Sequence, residues 1–82
     1  MDDYNEFVDL IMKISIESQK YEIAGCMRRI KKEMAYSVVF EEELRIEDFL
    51  KLITKELKSL DEKDQKIVIP YLRELKLKML NI

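Results

Sequence analysis

Apolar residues recur along this chain at steps of three and four, the spacing of helices that bury one side. Tyr4, Phe7, Val8, Ile11 and Ile14 form the first such stripe, and Asp2, Glu6, Asp9, Lys13 and Glu17 occupy the opposite side. The pattern predicts a helix over residues 3–18, with acids near its start, where the helix dipole favours them. Ser18-Gln19-Lys20 is the first polar break and reads as a short turn. It contains neither Gly nor Pro, so one continuous helix through residue 36 is the alternative. The second predicted helix, Tyr21 to Tyr36, turns Ile23, Met27, Ile30 and Met34 inward, with Cys26 beside them.

Ser37 through Glu43 reads as the main connection, with Val38-Val39-Phe40 tucked over one end of the core. A third helix over 44–59 buries Ile46, Phe49, Leu50, Ile53, Leu57 and Leu60 and keeps Lys51, Lys55 and Lys58 wet. Two caps suit the helix that follows: Ser59 with Glu62 as a capping box, or Asp61. That fourth helix, over 62–81, steps through Val68, Leu72, Leu75, Met79 and Ile82. Pro70 lies too deep in it to be a first-turn proline. It removes one backbone hydrogen bond and crowds the carbonyl of Lys66, which predicts a kink. A competing reading makes 66–69 extended and pairs it with 37–40 as a two-stranded ribbon, which is marginal in isolation. Together the segments predict an all-α fold: a small up-and-down bundle of four helices, one domain over residues 1–82, its last helix kinked at Pro70.

Composition narrows the function. At 82 residues the chain is near the lower limit for burying an adequate core alone. A single cysteine excludes an internal disulfide and suggests a reducing compartment. Cys26 beside Ile23 and Ile30 predicts a buried, slow-reacting thiol. Histidine is absent, which removes the usual general base, the usual transition-metal ligand and the Glu-x-x-His pairs of a di-iron bundle. One glycine and one proline leave no phosphate-cradling loop. These absences predict a protein that is no enzyme and holds no cofactor or metal. The five methionines, Met1, Met12, Met27, Met34 and Met79, are spaced as core filler. The acidic start Asp2-Asp3-Tyr4 is unlike a signal peptide, and apolar runs such as Ile67 to Leu72 are too short to span a bilayer. The expectation is a cytoplasmic protein with no membrane contact.

The chemistry-bearing surface is the outer side of the second helix. Tyr21, Gly25, Arg28, Arg29, Lys32 and Tyr36 share it, and Arg28-Arg29-Ile30-Lys31-Lys32 sets four positive charges in five residues. A glycine inside a helix costs about 1 kcal/mol relative to alanine, and a bare backbone lets a partner approach closely. Tyr and Arg also tend to carry interface energy. The plainer reading is a solvated basic face, with Gly25 packed against a neighbouring helix. Nucleic acid is disfavoured: the chain's net charge is −2, and Arg28 stands where a helix-turn-helix would place its turn glycine after Ala24. Glu41-Glu42-Glu43 with Glu47 and Asp48 could grip a basic protein, or simply form the acidic first turn of the third helix. Calcium would need a loop with a glycine turn, and none is present.

On the fourth helix Ile69, Leu77 and Leu80 fall off the main stripe, as residues of a central helix or a self-association surface would. The hairpin around Tyr21-Glu22-Ile23-Ala24 resembles those of small bacterial immunity proteins over these few residues, without a shared motif. The sequence therefore predicts stoichiometric protein binding: an inhibitor, an immunity-protein-like or antitoxin-like partner, or an adaptor. A homo-oligomeric bundle is the alternative, and a nucleic-acid-binding regulator follows it.

Overall fold

A computed structural model describes residues 2–39 and 45–80, apart from the side chains of Asp2, Ser37, Val38, Val39 and Leu80. They form four helices: α1 (Asp2–Glu17), α2 (Tyr21–Val39), α3 (Ile46–Leu57) and α4 (Glu62–Leu80). No strand occurs among the described residues, so the small all-α bundle is the fold. Phe40, Glu41 to Glu43 and Ile82 lie outside the described residues.

The turn after α1 explains why a sequence without Gly or Pro still breaks there. Gln19 adopts a left-handed backbone, φ 59°. Its N–H donates to the Ile16 carbonyl at 3.1 Å, and the Lys20 N–H reaches back to the Ser15 carbonyl at 2.7 Å. This paired arrangement closes a helix by satisfying its last carbonyls, and glycine usually fills the left-handed position. Glutamine there costs about 1–2 kcal/mol of backbone strain. The continuous-helix alternative fails on this turn.

Two sequence expectations are corrected, and one competing reading is removed. First, α2 runs on to Val39 and does not stop at Tyr36, so Ser37-Val38-Val39 belong to the helix and not to the connection. No Gly or Pro stands there to stop it, and two β-branched residues are too weak a signal to do so. Second, α3 is shorter than expected at both ends, Ile46–Leu57. Arg45 occupies its cap position and makes no side-chain capping bond, while Glu47 and Asp48 fill the first turn, where negative charge offsets the helix dipole. Third, residues 66–69 are helical, and α4 runs unbroken through Pro70, which removes the ribbon reading. Between the two candidate caps, Asp61 takes the role: its Oδ1 accepts the Asp64 N–H at 2.8 Å. Ser59 instead donates to the Glu56 carbonyl.

The core gathers around Phe49, which has no exposed surface. Tyr4 stacks on its ring at a centroid distance of 4.5 Å, and Phe7 meets it edge-on at 6.1 Å. Val8, Ile23, Met27, Ile30, Ile53 and Val68 are equally enclosed. Met12 and Met79 pack at the margin. The expected inward stripes hold among the described residues, with Ile14, Ile46, Leu50 and Met79 only half-buried. Ser15, a buried polar residue, donates its hydroxyl to the Ile11 carbonyl at 2.6 Å, so the core contains no unmet side-chain donor among the described residues. Ion pairs hold the two flanks of α1: Lys31 of α2 pairs with Asp9, and Lys78 of α4 with Asp3 at 3.2 Å.

Candidate functional site

Because Ile23, Met27, Ile30 and Met34 are drawn into the core, the side of α2 opposite them must face outward. Tyr21, Gly25, Arg28, Arg29, Lys32 and Tyr36 lie on that side in steps of three and four, one stripe over four turns. Tyr21 is 65% exposed and Tyr36 51%, so two large aromatic rings stand in water at either end. Arg28 and Lys32, between them, are exposed and form no ion pair among the described residues.

Arg29 behaves differently from its neighbour. Its Nε donates to Glu56 Oε2 on α3 at 2.9 Å, and its Nη2 reaches Ser59 Oγ at 3.4 Å. The Glu56 side chain is only 14% exposed, so the guanidinium compensates a largely covered carboxylate. The sequence grouped Arg29 with the freely solvated charges. The structure makes it a tie between α2 and the end of α3, a contact between residues 27 positions apart that helical periodicity cannot reveal.

Gly25 decides how the stripe is read. A Cβ built there would meet one atom within 4 Å, Arg29 Nη1 at 3.8 Å, which is ordinary van der Waals contact. Its backbone is not in the left-handed region that favours glycine. Packing of Gly25 against a neighbouring helix is therefore not what the structure contains. Neither sterics nor backbone geometry requires a glycine, yet the helix bears its cost of about 1 kcal/mol.

Cys26 lies beside this stripe but fully under the surface. Burial, and secondarily the Glu56 carboxylate, pushes its pKa from 9.0 up to about 11, while Arg29 pulls weakly the other way. At neutral pH it is a protonated thiol, unsuited to nucleophilic work.

On α4, Leu77 is 62% exposed and Ile69 38%, whereas the Leu80 side chain lies outside the described residues. Arg73 and Lys76, both exposed, lie between Ile69 and Leu77 along the helix. The three apolar residues of the expected self-association surface are thus not shown as one patch. Among the described residues no group of three acidic or thiol side chains is arranged to hold a metal ion, and no helix is long and apolar enough to cross a membrane. Sequence reading missed a shallow groove between α1 and α4, lined on one side by Asp3, Glu6, Phe7 and Leu10. The only advance signal was Leu10, an apolar residue set off the α1 stripe. In comparisons with known proteins, no family model matches the chain, and no curated protein or solved structure matches it.

Proposed function

We propose that this chain is a small non-catalytic protein-binding protein that engages an acidic surface of its partner through the outer side of α2. The observation that carries the reading is Gly25, a helix-interior glycine that the fold does not need, set between Tyr21 and Tyr36. A bare backbone flanked by two tyrosines lets a partner approach closely and bury aromatic anchors. Arg28 and Lys32 supply unspent positive charge that selects the partner's sign. Stoichiometric inhibitors, immunity-type or antitoxin-type partners and adaptors all act in this way, in a reducing cytoplasm that suits an unpaired thiol.

Self-association through α4 is the second reading, favoured by the exposure of Leu77 and Ile69. It ranks lower because closing a contact over both residues would also cover Arg73 and Lys76, and desolvated charge is costly.

A photoreactive phenylalanine analogue at position 21 or 36 tests the proposal in cells of the source organism. Both positions should yield the same protein adduct, position 63 on the outside of α4 should not, and Arg28→Glu with Lys32→Glu should remove it. That double change should leave stability within about 0.5 kcal/mol per site, since both side chains lie free on the surface. An adduct formed equally from position 63, or one indifferent to charge reversal, would defeat the reading.

A further inference from the structure

The groove between α1 and α4 is lined by residues none of which belongs to the α2 face. Asp3, Glu6, Phe7 and Leu10 lie at i, i+3, i+4 and i+7 on α1, and Tyr71, Glu74, Leu75 and Lys78 repeat that spacing on α4. Two matching helix sides therefore face each other, with apolar residues inside and charged ones at the lips. Phe7 and Leu75, both buried, form the floor, while Leu10 stands 47% exposed at the edge. The opening has a volume of about 180 Å³. An apolar cavity of about 150 Å³ accommodates benzene, so this one takes a single leucine, methionine or phenylalanine side chain and is too small for most metabolites.

The rim fixes the sign of the occupant. It holds three carboxylates, Asp3, Glu6 and Glu74, against one ammonium, Lys78, which already pairs with Asp3. Glu6 and Glu74 are exposed, stand on opposite lips, and make no ion pair among the described residues. We propose that this groove docks a basic amphipathic helix of a partner protein. One large apolar side chain inserts over Phe7 and Leu75, and lysines or arginines about one turn to either side, roughly 5 Å along the helix, meet Glu6 and Glu74. The groove lies on the flank of α1 bound to α4, whereas α2 holds the other flank through Lys31 and Asp9. The molecule thus offers a basic surface and an acid-rimmed groove on different elements, and two partners of opposite charge can be held at once.

The probe is a short synthetic helix of leucine and lysine, titrated into the labelled protein and followed by backbone amide chemical shifts. The largest shifts should fall at Phe7, Leu10, Tyr71 and Leu75, and added salt should weaken binding. A peptide with glutamate in place of lysine should not bind. Glu6→Lys with Glu74→Lys, at unchanged helicity, should weaken the lysine peptide by at least about tenfold, because repulsion replaces attraction. Shifts elsewhere, equal binding of the glutamate peptide, or affinity unaltered by salt and by the double change would overturn the proposal. So would sedimentation of the protein alone as an oligomer that the same double change disperses, which would assign the groove to a second copy.

Discussion

On the inward side of α2, Ile23, Met27 and Ile30 keep no exposed surface, while on its outward side Tyr21 and Tyr36 keep half or more of theirs. The first set is explained by the fold, since each residue fills space between helices and its loss would leave a void. The second set is not: the tyrosines lie outside the buried cluster, Arg28 and Lys32 join no ion pair among the described residues, and Gly25 weakens the helix without a steric reason. Apart from Arg29, which ties α2 to Glu56 of α3, the two sides of one helix thus separate residues the fold requires from residues it merely carries. Residues merely carried, and at a cost, are where binding should be sought.

The contrast can be broken in several places. Ile30→Ala should have the largest effect, costing about 2–5 kcal/mol in urea unfolding, because a fully enclosed side chain leaves a cavity. A loss under about 1 kcal/mol would mean that the inward side is loosely packed and the contrast overstated.

Cys26 sharpens the boundary between the sides through pH. Its thiol ionises near 9.0 when solvated and only near 11 in the folded chain. The folded state therefore holds the proton longer, ionisation favours unfolding, and stability that is full below pH 9.0 falls as pH rises toward about 11. Cys26→Ala should flatten that decline relative to the native chain. Parallel declines would put the thiol in contact with water.

Adjacent arginines give the next, smaller test. Arg29→Ala strips a partner from the poorly exposed Glu56 and should cost about 1–2 kcal/mol, whereas Arg28→Ala should stay within about 0.5 kcal/mol. Equal costs would dissolve the distinction between a tied arginine and a free one.

Much of this arrangement was legible beforehand, for reasons that differ by residue. Periodicity placed Ile23, Met27 and Ile30 inward and Tyr21 and Tyr36 outward, because a helix with one buried side leaves no other choice. The end of α1 was harder to read: a turn that usually advertises itself with glycine uses Gln19 in a left-handed backbone. The extension of α2 to Val39 depended on the lack of a stop signal, which is weak information. Arg29 with Glu56, and the α1–α4 groove, join residues far apart in sequence, and local pattern cannot pair them. For the candidate site this means the stripe was visible but the status of its members was not. Gly25 and Arg29 looked alike as surface residues, and only the surroundings of each show that one is tied and the other unneeded.

The most direct measurement of the central claim is the urea midpoint of Gly25→Ala. If the fold has no use for the glycine, a methyl group in ordinary contact with Arg29 should cost nothing, and relief of backbone entropy should raise stability by about 0.5–1 kcal/mol. A more stable variant with native helicity would leave binding as the reason the position is bare. A destabilised Gly25→Ala would show that the fold itself demands the glycine, and the outward side of α2 would lose the feature that marks it as a docking surface.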